Sequence, residues 1–281
     1  MRVRVKGTTK GISKLETPSG ILIPAIERVL NKRVTGKERK HGWNSPSGVG
    51  GCQRNNYFTR TSVTPDFPQN DPRLQRIFDN GTCVHIRLQD YMKKDGVLLK
   101  DEAPLFNKEY KILGTTDGLL NDSGVLAVLE IKSIHAFGFS SLKDAKPEHK
   151  LQASIYMYCL NEMRKALLRG KRLELEQDYL TKLQTFLDEG KVQKQFRDFC
   201  KTLDILEKYP KPIKKVIFLY ENKDTQELKE FSVEDDGSVI AQALEKFDSL
   251  NIAIENEEIP PASKTYMCNG CKFRKVCATI D

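Results

Sequence analysis

No G-x-x-x-x-G-K-[S/T] loop for nucleotide phosphates occurs in the chain, and its 281 residues leave no room for a motor domain. Any work it does on a polymer is therefore expected without ATP-driven movement of its own. No apolar run approaches membrane-spanning length, and no secretory leader is recognisable. The expected location is thus cytoplasmic and reducing, where cysteines stay as thiols and metal binding is favoured over disulfides. Internal repeats and low-complexity tracts are absent as well. Aromatic residues are few at 8%, while 39% hydrophobic content suffices for a core and 30% charged residues suit a soluble protein. The net charge of +8 points to a polyanionic partner. Basic residues cluster at Lys32 to Lys40, Arg164 to Arg172 and Lys208 to Lys215. Each run alone reads as a solvated face; their common sign favours nucleic acid over an acidic small molecule.

The segment from Gly114 to Lys132 carries the most chemistry. Asp117 is followed by a turn at Asn121–Gly124 and by the apolar run Val125–Leu129, the pattern of a strand covered on both faces. Glu130 and Lys132 end that run. Side chains alternate along a strand, so these two share one face, about 7 Å apart, while Ile131 points into the core. Burying both charges is costly unless they face a cleft or each other. The plain alternative is an exposed ion pair at a strand end. Downstream, Leu151–Leu160 reads as a helix with Gln152, Tyr156 and Leu160 on one face at i, i+4, i+8. Upstream, a helix over Pro72–Lys94 carries His85, which by itself is an ordinary helical histidine.

In this order, a helical histidine, D…ExK and QxxxY resemble the RecB-type members of the PD-(D/E)xK nucleases. Thr116 stands where the superfamily's naming proline would be, a departure common in RecB-type members. The resemblance implies an α/β fold with a restriction-endonuclease-like core, a mixed central sheet flanked by helices. It implies that His85, Asp117, Glu130 and the backbone carbonyl of Ile131 hold Mg²⁺ or Mn²⁺. Hard oxygen donors suit the former, and the imidazole tilts toward the latter. Lys132 would position or deprotonate the attacking water, Gln152 would orient Lys132 or the phosphate, and Tyr156 would meet a neighbouring phosphate or base.

Of seven cysteines, Cys268, Cys271 and Cys277 lie within the last fourteen residues. Three thiolates need a fourth ligand, and Cys52, in a loop ahead of the His85 helix, is the best candidate. Cys83, Cys159 and Cys200 lie in helical patterns and read as small buried hydrophobes. One distant cysteine plus C-terminal C-x2-C-x5-C resembles the iron–sulphur RecB-type nucleases, which include the CRISPR-associated spacer-acquisition nuclease and phage exonucleases. That implies a 4Fe–4S cluster stapling the N-terminal segment to the tail. A structural zinc would use the same four ligands.

The chain divides into a basic N-terminal arm (1–44), a first part of the nuclease core (45–162), a helical insert (163–213) and a last part with strands, helix and cysteine tail (214–281). Residues 45–70 are expected as loop. The insert could cover the cleft or guide a strand. The leading expectation is a metal-dependent exonuclease acting on single-stranded DNA from a free end, in phage or recombination and repair processing. A CRISPR adaptation nuclease, a structure-directed endonuclease and an inactive DNA-binding module remain open, although intact Asp117, Glu130 and Lys132 count against the last.

Overall fold

The computed structural model describes residues 20–34, 42–66, 72–234 and 237–280. The start of the basic arm and Lys37, Arg39 and Lys40 lie outside the described residues. The amphipathic segment expected from Ile21 is helix α1 (Leu22–Val34). The segment expected as a loop instead holds a 3-10 turn (Pro46–Gly48) and helix α2 (Gln53–Arg60). Its sequence, QRNNYFTR, is polar and shows no apolar period, and no side chain caps it at Cys52. Burial of Arg54, Tyr57 and Phe58 against the C-terminal part of the chain holds it instead, so tertiary contact overrides weak local preference.

Helix α3 (Pro72–Asp95) starts on a proline that needs no hydrogen-bond acceptor in the first turn. Strands β1 (Leu98–Asn107), β2 (Ile112–Asp122) and β3 (Val125–Ile134) follow as antiparallel neighbours. Ser123 and Gly124 turn the β2–β3 hairpin with φ of 53° and 85°, the left-handed pair that suits a tight two-residue connection. After a short helix α4 (Ala136–Ser140), helices α5 (Pro147–Leu168), α6 (Arg172–Gln184) and α7 (Glu189–Lys208) cross over to β4 (Lys215–Asn222). β4 lies parallel to β3, and β5 (Leu228–Glu234) closes the sheet antiparallel in the order β1-β2-β3-β4-β5. Helix α8 (Ser238–Glu255), a 3-10 turn (Tyr266–Gly270) and α9 (Arg274–Ala278) complete the chain. The expected mixed sheet flanked by helices is what forms. Among the described residues no helix is long and apolar enough to cross a membrane.

β3 is covered on both faces, as its apolar run requires. Leu126 and Val128 join the larger core with α5, and Ala127, Leu129 and Ile131 pack with Val84 and Leu88 of α3. Helices α6 and α7 do not stand apart as a loose cover: Tyr179, Leu183, Phe199 and Leu203 are buried in the same core as α5, with the Tyr179 and Phe199 rings stacked at 3.9 Å. Cys159 is buried as expected, whereas Cys83 is exposed and Cys200 half-buried. A helical pattern gives a residue's face but not what covers that face, and the face of α3 at Cys83 is exposed among the described residues.

Gly118 must be glycine for reasons of space. An added Cβ would lie 2.9 Å from the carbonyl oxygen of Lys100 and 2.6 Å from Leu98 Cδ1. Gly118→Ala should therefore destabilise the fold by about 1–3 kcal/mol, read as a melting temperature several degrees lower. An unchanged melt would show that β1 yields at no cost.

Candidate functional site

The pairing of β2 with β3 runs from Asp122–Val125 to Gly118–Leu129 and stops there. Beyond that point side chains replace the backbone ladder. Thr116 Oγ1 donates to the Leu129 carbonyl at 3.0 Å, and the Ile131 N–H donates to Asp117 Oδ2 at 2.6 Å. Buried backbone groups must find partners, and these two do so across the gap where the strands part. Thr116 thus contributes a hydroxyl at the position where a proline would offer none. Asp117 is held by the strand it faces, and the backbone of Ile131 is brought to it.

His85, on α3, reaches Asp117 with Nδ1 3.3 Å from Oδ1. A third group, which no spacing in the sequence marks, joins them. Glu102 lies on β1 between the Asp101–Gly118 and Ala103–Thr116 pairs, hence opposite Asp117, with a left-handed φ of 45°. Ligand atoms of His85, Glu102 and Asp117 all lie within 4.8 Å of one another. Gln89, buried on α3, donates from Nε2 both to Glu102 Oε1 (3.1 Å) and to the Asp117 carbonyl (2.8 Å), fixing the two relative to each other. The adjacent pair Asp101-Glu102 ahead of an apolar strand was the only available signal.

Glu130 is 1% exposed. Lys132 Nζ sits 2.5 Å from its Oε1, so the two charges do face one another. Yet neither Glu130 oxygen has a well-directed hydrogen bond. Burial pushes this carboxyl above its usual range, the charge of Asp117 adds to the effect, and Lys132 pulls back only in part. Burial works the other way on His85, but its hydrogen bond to Asp117 and the surrounding carboxylates outweigh it and hold the imidazole above its ordinary value. Two carboxylates and one imidazole, those of Glu102, Asp117 and His85, lie close enough together to fit a divalent cation of the Mg²⁺ or Mn²⁺ type.

Helix α5 closes the other side. Gln152 Oε1 accepts from Lys132 Nζ at 3.3 Å, and Gln152 Nε2 donates to the Tyr156 hydroxyl at 2.5 Å. Tyr156 is only 5% exposed, so its ring backs Gln152 and leaves no open face for a base. Helical spacing gave the shared face of the two residues but not their depth.

Each of the four cysteines contacts α2 or Ser263, while the candidate metal group among the described residues is formed by His85, Glu102 and Asp117 and contains no cysteine. The Ser263 N–H donates to Cys52 Sγ at 3.5 Å, and Cys268 Sγ lies 3.6 Å from the Ser263 carbonyl. Asn55 Nδ2 reaches Cys271 Sγ, and Arg54 Nη1 reaches Cys277 Sγ, both at 3.4 Å. Burial raises the Cys52 thiol, but backbone N–H groups of Ser263, Asn55 and Arg54 outweigh it and bring it below the ordinary value. Arg54, 5% exposed, also donates from Nε to the Pro260 carbonyl at 2.7 Å. Phe58 and Phe273 seal the junction edge to face at 5.2 Å, and Asp66 accepts from the backbone N–H groups of Lys275 and Val276.

Residues 92–278 match the PD-(D/E)XK nuclease superfamily, and the chain belongs to it. No curated protein sequence matches. Among solved structures, the chain is similar to SSO0001, at 14% identity over 92% of this chain and 97% of that one, with a TM-score of 0.46. It is also similar to an alkaline exonuclease (LHK-Exo) from Laribacter hongkongensis, at 12% identity over 78% and 90%, with a TM-score of 0.39.

Proposed function

We propose that the chain is a divalent-metal-dependent deoxyribonuclease of the RecB-type iron–sulphur branch, degrading single-stranded DNA from a free end in a reducing compartment. The observation that carries this reading is Glu130: a carboxylate sunk to 1% exposure, both oxygens without directed donors, between Asp117 and Lys132. His85, Asp117, Glu130 and the Ile131 carbonyl would hold Mg²⁺ or Mn²⁺, and Glu102 adds a further oxygen. The bound ion supplies Lewis-acid polarisation of the phosphate and a water of lowered pKa. Lys132 orients that water and offsets charge growing on the phosphoryl oxygens. Gln152 fixes the Lys132 ammonium, and Tyr156 fixes Gln152. Cys52, Cys268, Cys271 and Cys277 would carry a 4Fe–4S cluster that ties α2 to the tail, a structural role far from the reacting phosphate in sequence.

The free-end part of the reading rests on the helical hairpin α6–α7, which lies beside β1, the strand of Glu102. Lys100 on β1 and Asp198 on α7 pair there at 3.4 Å, which holds the hairpin against β1, and we read it as one wall of the site. A walled site favours a threaded strand. Linear single-stranded DNA should be degraded with Mn²⁺ or Mg²⁺ while closed single-stranded circles survive, followed on gels over time. Rapid nicking of circles would overturn the free-end reading in favour of a structure-directed endonuclease.

A further inference from the structure

We propose that His149 is the donor of a phosphate subsite beside Lys132, taking a non-bridging oxygen of a backbone phosphate that flanks the scissile one. The proposal rests on the nuclease reading and adds a contact which D…ExK and QxxxY do not contain.

His149 stands on α5 three residues before Gln152, so the imidazole lies on the same helix face as the amide that holds Lys132. A second element places it there independently. Tyr220 of β4 lies opposite Lys132 in the parallel register, and the His149 ring stacks on the Tyr220 ring at 5.7 Å and 28°.

Tyr220 also decides which nitrogen of His149 carries the proton. The Tyr220 hydroxyl accepts from the Lys146 backbone N–H at 3.1 Å, and among the described residues the acceptor within reach of its own proton is His149 Nδ1, 2.7 Å away. Nδ1 is then the acceptor, and Nε2 bears the hydrogen. Tyr220 is fully buried, so this lock is internal to the fold, while His149 itself is half-buried. Nε2 has no protein partner among the described residues.

Burial first, then the charge of Lys132, lowers the imidazole to about 4, so the ring stays uncharged at neutral pH. A neutral ring locked in one tautomer is poorly suited to proton transfer. It is well suited to donating one fixed hydrogen bond, and an anionic phosphate oxygen is the acceptor for which such bonds are strongest. The first turn of α5, where His149 lies, adds the partial positive charge of a helix start.

The test is binding, with Ca²⁺ in place of Mg²⁺ or Mn²⁺ to keep the strand intact. Fluorescein-labelled single-stranded oligonucleotides are used, each with one methylphosphonate linkage at a different position. Wild type should lose about tenfold in affinity at one linkage, the scale of a hydrogen bond to a charged group. His149→Phe keeps the stack on Tyr220 and removes the donor. It should bind the natural strand about tenfold more weakly and be indifferent to that linkage, and His149→Gln should recover part of both effects. His149→Asn, polar and too short to reach, replaces His149→Phe if the latter does not fold. A His149→Phe or His149→Asn profile identical to wild type at every linkage would overturn the subsite. Cleavage of the natural strand with Mn²⁺ judges the nuclease reading separately: an inert wild type that still shows the linkage effect keeps the subsite and loses the nuclease.

Discussion

Glu130→Gln should abolish DNA cleavage, with a loss of about 10³-fold or more, the scale of removing a group that supports transition-state charge through a metal ion. Binding of DNA should survive, because Glu130 is 1% exposed and so out of reach of the strand. The same substitution should raise the stability of the metal-free protein. A carboxylate at 1% exposure without directed donors is a standing cost, only partly offset by Lys132. We expect a gain of about 1–3 kcal/mol, a melting temperature several degrees higher. Mn²⁺ should then raise the melting temperature of wild type and leave that of the variant in place, since a ligand stabilises only the state that binds it. Cleavage by Glu130→Gln at the wild-type rate would sink the active-site assignment.

Cys52→Ser, Cys268→Ser, Cys271→Ser and Cys277→Ser should each bleach and destabilise the protein, while Cys83→Ser, Cys159→Ser and Cys200→Ser leave its colour intact. Purified without oxygen, wild type should be brown, with about four irons per chain for a cubane cluster. The expected instability is large because the proposed metal would close a junction whose buried core is small: Tyr57, Phe58, Leu250 and Phe273. Metal–thiolate binding couples directly to folding, with structural sites contributing on the order of 10 kcal/mol. Removing one ligand should therefore lower solubility as well as the melting temperature. A colourless protein with stoichiometric zinc would replace the cluster with a zinc site on the same residues. Loss of colour in Cys83→Ser would reassign a ligand.

How much of this could be read from the chain depended on whether a residue's role leaves a period. The run Val125–Leu129 with its Asn121–Gly124 turn announced a doubly covered strand, and one resulted. Asp117, Glu130, Lys132 and Gln152 stood at spacings that strands and helices translate directly into proximity, and the structure brings them together. Glu102 had no such mark: its place depends on the β1–β2 register and on a left-handed backbone, which no short pattern encodes. Helix α2 was illegible because its stability comes from partners about 200 residues away, such as the Pro260 carbonyl that accepts from Arg54 Nε at 2.7 Å. Depth was the other loss. The QxxxY spacing set Gln152 and Tyr156 on one face, but only the packed structure shows the tyrosine shut away beneath the glutamine.

The bond from Ile131 to Asp117 has a consequence for anyone who wants an inert version of this protein. In the proposed reading Asp117 would do two jobs: its carboxylate would help to gather the cation, and it terminates a backbone donor that the neighbouring strand has abandoned. Truncating it would blunt the chemistry and unzip the seam at once, so a dead Asp117→Ala protein is ambiguous evidence about mechanism. Glu130 carries no such second duty, since none of its oxygens holds the backbone together. A catalytically silent protein intended to trap DNA in its native grip should therefore be made at Glu130, with Asp117 left alone.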